Sequence, residues 1–361
     1  VDTLRADRLG CYGYDRAATP NIDALAEDGV LYEQAIAQAS WTKPSFATIF
    51  TSLYPSSHRA VHKSDRLPEA VTTLAEVMRA AGYHTVGFAN NINVAPQFGF
   101  DQGFVEYHFL TPDYYFWASA SSSQLAIYQM ARRVRARLMG DTLRVQDFYQ
   151  SAETVNREAI AWLEAHRGGP FFLFLHYMDP HDPYFEHPYN GHGYARARNQ
   201  NPDPTLAPTF STLYDGEIRY LDEQVGHLLT WLKEAGLYDD ALIIFTADHG
   251  IALGEHNRTG KSNIHPRDDR CWLMFEELAH IPLLVYLPGM RPRKVRQYVQ
   301  PVDTAAAVLE LAGAKPAPSD HGSSVLDLAL GRARRWRRDW AISSAYLGRL
   351  GDLQREGAID S

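Results

Sequence analysis

Thr42 stands two residues ahead of Pro44 in SWTKPSFATIF, at what reads as the start of a helix. Proline suits a helix's first turn, and Phe46, Ile49, Phe50 and Leu53 follow at helical spacing. A hydroxyl just ahead of such a start has two uses. It can cap free backbone N–H groups. It can also be a nucleophile, held where the positive end of the helix dipole favours an anion such as phosphate or sulfate. A threonine hydroxyl is a poor nucleophile until something lowers its pKa, and a bound divalent metal does so as a Lewis acid.

Residues that could hold such a metal occur elsewhere in the chain. FTADHG sets Asp248 and His249 side by side at a strand end, and Asp2 opens DTLRADRLGCYGY, where a strand should hand over to a loop. Asp2, Thr42, Asp248 and His249 together would give an O,O,O,N set, suited to Zn, Mn or a similar divalent ion. His181, between the prolines of MDPHDPY, could protonate a leaving oxygen. His256 and Lys261 follow the Asp-His pair in GIALGEHNRTGKSN, and a lysine point charge suits phosphoryl or sulfuryl oxygens. Taken singly, each has an ordinary structural reading: a cap, an Asp-His turn, a chain-end aspartate, a loop histidine, an exposed lysine.

Holding these residues at one point calls for strand ends. Buried apolar runs alternate with amphipathic helices. TLAEVMRAAGYHTVGFA gives a helix, a stop at Gly82 and a strand, and Phe171 to Tyr177 gives another strand ending in a Pro-rich loop. Ile218, Leu221, Val225, Leu228, Leu229 and Leu232 mark a long helix, followed by a strand over 241–246. IPLLVYLPG is a further strand and VDTAAAVLELAG a helix stopped by Gly313. The alternation predicts an α/β fold with a mainly parallel sheet, in which ligands gather beyond the carboxyl ends of strands. Segment 105–150 fits the alternation poorly and reads as an insertion; its Arg132, Arg133, Arg135 and Arg137 read as a solvated helical face, with anionic lipid or substrate as the alternative. Residues 185–210 read as a long loop near the site, a lid or substrate loop.

The 361 residues are 45% hydrophobic and 22% charged, ordinary globular composition. A net charge of −8 argues against a nucleic-acid binder. Cys11 and Cys271 match no zinc spacing and read as free or buried thiols. No apolar run is long enough to span a bilayer and no signal peptide is visible. The chain starts at Val1 without an initiator Met and its end closes no obvious element, so it reads as a fragment lacking the strand before Asp2.

As an ordered set, these pieces resemble the sulfatase-like branch of the alkaline phosphatase superfamily. The matching stretches include DTLRADRLGCYGY, ATPNIDALAEDGVLYEQAIAQASWTKPSFATIFTSLYP, GFDQGF, HYMDPHDPY, YDGEIRYLDEQVGHLL, FTADHGIALGEH and IPLLVYLPG. The resemblance implies a three-layer α/β/α sandwich over residues 1–328, with 329–361 opening a truncated C-terminal region. It places Asp2, Asp248 and His249 on metal-ligand positions, Thr42 on the nucleophile position, and His181, His256 and Lys261 on positions that handle the oxyanion or leaving group.

The departures from the family shape the expected chemistry. Sulfatases carry Cys or Ser, converted to formylglycine, followed by x-Pro-x-Arg; here Thr42 cannot be converted and Phe46 stands in place of the arginine. Thr3 replaces a second aspartate, and Asn90 and Ile92 stand near the usual Lys and His of the G-K-W-H segment. The pattern is closer to phosphoglycerol and phosphoethanolamine transferases. It implies one divalent ion (Mn, Mg, Zn or Ca) and hydrolysis or transfer of a phosphoester, with a lipid- or glycan-linked substrate and membrane association as options. The alternatives are a catalytically degenerate protein that binds an anionic ligand, a formylglycine-independent sulfuric ester hydrolase, and, least favoured, a two-metal phosphoglycerate-mutase-like enzyme. Many relatives act outside the cytoplasm, so a periplasmic or extracellular setting is the expectation.

Overall fold

The computed structural model describes residues 1–16, 18–113, 127, 130, 134, 144–194, 204–257, 259–260, 274–314, 321–332, 336, 338 and 340–344. Lys261, Cys271 and the arginines of the 132–137 stretch lie outside these residues.

Two sheets form the middle layer. In the first, His84–Ala89 lies between Glu106–Phe109 and Phe171–Leu175, parallel to both. In the second, Ile243–Thr246 pairs antiparallel with Leu283–Tyr286, which pairs antiparallel with Val30–Ile36. Arg293–Val299 then pairs parallel with Val30–Ile36. Val1 and Asp2 fill the seam between the sheets. Val1 N donates to Thr246 O at 2.9 Å, Asp248 N to Val1 O at 3.2 Å, and Asp2 N to Tyr177 O at 2.9 Å. The α/β sandwich is as expected, but the pairing is mixed; among the described strands, the parallel pairs are those of the first sheet and of Val30–Ile36 with Arg293–Val299.

Side-chain alternation builds the outer layers. Phe171, Leu173 and Leu175 face one core with Val155, Ala159 and Leu163 of the helix Ala152–Ala165 and with the helix Ala207–Glu234. Phe172 and Phe174 face the opposite core with Phe46 and Phe50 of the helix Thr42–Thr51. A strand covered on both faces has to be apolar at consecutive positions, which is why FFLFL shows no polar alternation. Phe174 meets Phe50 edge-on at 4.8 Å and Phe46 at 5.7 Å, contacts worth about 0.5–1.5 kcal/mol each beyond their buried area.

Several segment expectations change. Glu106–Phe109 is an edge strand of the sheet, so the first part of 105–150 is integral to the fold. The stretch read as a loop over 185–210 includes a hairpin pairing Tyr184–Phe185 with Gly193–Tyr194, and a helix starting at Ala207. Pro208 in the first turn fixes that start. Beyond residue 328, Arg338 donates to Asp303 at 2.8 Å and Ser344 N to Gln38 O at 2.8 Å, so these described residues lie against the domain. No helix among the described residues is long and apolar enough to cross a membrane.

Candidate active site

Thr42 is not the cap of its helix. The N-cap residue is Trp41, in extended conformation, and Thr42 is the first helical residue. Its side chain is fully buried, and Oγ1 lies 3.3 Å from Asp2 Oδ2. Lys43, the next residue, is also buried. Its ammonium donates to the carbonyls of Lys63 at 2.5 Å and Asp65 at 2.9 Å and sits over the Phe98 ring at 3.4 Å. Burial lowers its pKa to about 8. Successive helix residues point about 100° apart, so Lys43 ties down the 63–65 loop while Thr42 faces Asp2.

Asp2, Asp248 and His249 are fully buried, and one ligand atom from each lies within 4.8 Å of the others. Asp248 Oδ1 accepts backbone N–H bonds from His249 at 2.8 Å and Thr3 at 3.1 Å, while Oδ2 lies 3.3 Å from His249 Nε2. Thr3 takes a left-handed conformation, φ 62°, to make this contact. His249 Nδ1 lies 2.6 Å from the Gly250 carbonyl oxygen. A carbonyl only accepts, so Nδ1 carries the hydrogen and Nε2 presents its lone pair, 3.7 Å from Asp2 Oδ1. Gly250 is required here, because a Cβ would sit 2.0 Å from the Glu277 carbonyl oxygen.

Two carboxylate oxygens and an imidazole lone pair thus converge in a buried space. Such donors repel one another, and a divalent cation removes the repulsion while using every donor. The set fits a metal on its own chemistry, and its O,O,N composition suits Mn, Zn or Mg.

His181 sits on the loop that follows the Phe171–Leu175 strand and is half-buried. Its Nδ1 lies 2.5 Å from the Asp182 carbonyl, so Nε2 is the ring atom that exchanges a proton. The loop is held at both ends. Asp179 Oδ2 accepts from Ala152 N, at the start of the helix Ala152–Ala165, at 3.0 Å. Glu217 accepts from Phe185 N at 2.5 Å and lies 2.9 Å from His187 Nε2. Burial first, and the neighbouring Glu217 charge second, push the Asp179 carboxyl well above the usual carboxylate range.

His256 is not drawn into this cluster. It is exposed, its Nε2 lies 3.3 Å from Glu277 Oε2, and its ring stacks on Phe275 at 3.7 Å. Two neighbours of Asp2 escaped the sequence reading. Asn91 Nδ2 donates to Asp2 Oδ2 at 2.8 Å, and the buried His176 places Nε2 3.7 Å from the same oxygen. The signal for Asn91 lay in GFANNINV, between the two positions compared with the family's Lys and His. For His176 it was a lone polar residue closing the FFLFL strand.

The Sulfatase family model matches residues 1–314. The multifunctional alkaline phosphatase superfamily protein PehA of Trinickia caryophylli is 26% identical over 387 residues, covering 89% of this chain and 73% of its own length. Human iduronate 2-sulfatase is 26% identical over 369 residues, covering 86% of this chain and 64% of its own. The structure of the phosphonate monoester hydrolase SpPMH from Silicibacter pomeroyi aligns with a TM-score of 0.73 at 20% identity, covering 99% of this chain and 81% of that one. The chain therefore spans roughly two thirds to three quarters of these two curated relatives, and the structural likeness is one of fold.

Proposed function

The chain belongs to the sulfatase family of ester hydrolases, and on that premise we propose that it cleaves phosphoesters in preference to sulfate esters, with Thr42 as nucleophile. The observation that carries this reading is the 3.3 Å approach of Thr42 Oγ1 to Asp2 Oδ2 at the mouth of a helix, beside Asp248 and His249. A divalent cation held by Asp2, Asp248 and His249, with Thr42 Oγ1 as a further ligand, would supply the Lewis acidity that the hydroxyl needs.

The chain's own residues do the rest. Asp2 Oδ2 accepts the Thr42 hydroxyl and orients it. Thr42 Oγ1 passes its proton to Asp2 Oδ2 and forms a bond to phosphorus as the ester P–O bond breaks, and the electron pair leaves on the alcohol oxygen. His181 gives that oxygen its proton. Water then gives a proton to the now neutral His181 Nε2 and attacks phospho-Thr42; the P–O bond to Thr42 breaks, Oγ1 takes its proton back from Asp2 Oδ2, and the phosphoryl product leaves. An alcohol in place of water would give transfer. Lys261 is assigned to the non-bridging oxygens on its sequence position, as a point charge. His256 is left without a part because Glu277 and Phe275 engage it.

The preference for phosphoesters rests on two residues. Thr42 cannot become formylglycine, and Phe46, where sulfatases carry arginine, is packed against Phe50, Phe174 and His176. The test compares p-nitrophenyl phosphate, bis-p-nitrophenyl phosphate and p-nitrophenyl sulfate with wild type and Thr42→Ala, with Mn, Mg, Zn or Ca added. Metal-dependent phosphoester turnover that is lost in the variant is expected. Equal turnover in the variant contradicts the reading.

A further inference from the structure

We propose that His176 is a positioning residue for this centre: its Nε2–H is a further donor, beside Asn91 Nδ2 and the Thr42 hydroxyl, that holds Asp2 Oδ2. The inference rests on the assignment of Asp2 as a metal ligand. His176 is fully buried at the end of the Phe171–Leu175 strand. Asn90 N–H points at its Nδ1 at 3.4 Å, so Nδ1 is the acceptor and the hydrogen sits on Nε2. That Nε2 finds no hydrogen-bond acceptor among the described residues, and the nearby charged atom is Asp2 Oδ2 at 3.7 Å. An unmet buried donor is destabilising, and a shift of under about an ångström toward the carboxylate would bring it to hydrogen-bond distance.

The ring is fixed for this purpose. Phe46 meets it edge-on at 4.7 Å, and Phe174 stacks on it at 6.3 Å. Phe46 thus supports the centre through His176. The two oxygens of Asp2 then divide their work. Oδ2 faces Thr42, Asn91 and His176, and Oδ1 faces His249. Among the described residues, His176 is not in the cluster of Asp2, Asp248 and His249 ligand atoms, and its contact with the centre is through Asp2. Partners behind a metal's ligands typically change affinity 10- to 100-fold when removed.

The experiment measures Mn²⁺ affinity of the full chain by titration calorimetry, together with the melting temperature of each metal-free variant. His176→Asn keeps an acceptor for Asn90 N–H and loses reach to Asp2. His176→Phe keeps the ring and loses the donor. His176→Gln keeps a donor at the right length. The expected result is about 10- to 100-fold weaker binding in the Asn and Phe variants and restoration to within about threefold in the Gln variant. Wild-type affinity in the folded Asn or Phe variant overturns the proposal, as does a Gln variant no better than Asn. Should the Phe variant not fold, the Asn–Gln pair decides. A wild-type chain that takes up no Mn²⁺ overturns the metal centre itself, and the role of His176 with it.

Discussion

Thr42 and Asp2 are 40 residues apart in sequence and 3.3 Å apart at Oγ1 and Oδ2. Asp2 is carried by the backbone seam between two sheets, Thr42 by the first turn of a helix on one face. The approach depends on the alignment of both layers, and the chemistry proposed for this chain rests on it.

Removing one carboxylate should remove the metal. Asp248→Asn keeps an oxygen for the Thr3 and His249 N–H groups but takes away a charge beside His249 Nε2. Wild type at a hundredfold excess of metal over Kd should gain about 2.7 kcal/mol of stability, and a chelator should reverse it. Calorimetric scans of the variant should show little or no metal-dependent gain.

His181 should matter in proportion to how badly the leaving group needs a proton. With Nδ1 engaged by the Asp182 carbonyl, His181→Gln removes the proton exchange at Nε2. The loss in kcat should approach about 10²–10⁴-fold for alkyl phosphoesters and be far smaller for p-nitrophenyl esters, whose leaving group departs unprotonated. Equal losses for both would mean a structural role.

His58 gives the fold an acid limit. It is fully buried, with Nδ1 accepting from Ala60 N at 3.1 Å and Nε2 3.2 Å from Thr48 Oγ1. Burial lowers its pKa from 6.5 to about 4. Between those values the unfolded chain binds the extra proton, so His58's contribution is intact above about pH 6.5 and is lost as pH falls toward about 4. The loss is on the order of 3 kcal/mol. Urea titrations of wild type and His58→Gln should differ in this way: the variant, lower by about 1 kcal/mol at pH 7 from its lost bonds, should lack that part of the acid slope.

Much of this was legible in the sequence, because strand ends announce themselves. FTADHG and HYMDPHDPY each put polar residues directly after an apolar run, and the structure brings Asp248, His249 and Asp2 together there. The mixed pairing was not legible. Leu283–Tyr286 is apolar and buried at every position, and Val30–Ile36 at its first three, so neither pattern reveals strand direction. The hairpin at Tyr184–Phe185 was missed because two-residue strands carry no periodicity. Asn91 and His176 were missed for another reason. Neither has a spacing signature, and their importance comes from which carboxylate oxygen they face.

The most direct test of the central claim is a quenched-turnover mass measurement. The full chain with Mn²⁺ would be mixed with bis-p-nitrophenyl phosphate, stopped in acid during turnover, digested and analysed for the peptide containing Thr42. The account predicts that this peptide carries one phosphoryl ester of the substrate on Thr42, that the adduct decays when substrate is exhausted, and that Thr42→Ala shows neither adduct nor turnover. Turnover by Thr42→Ala at the wild-type rate, with no adduct in either protein, would contradict it.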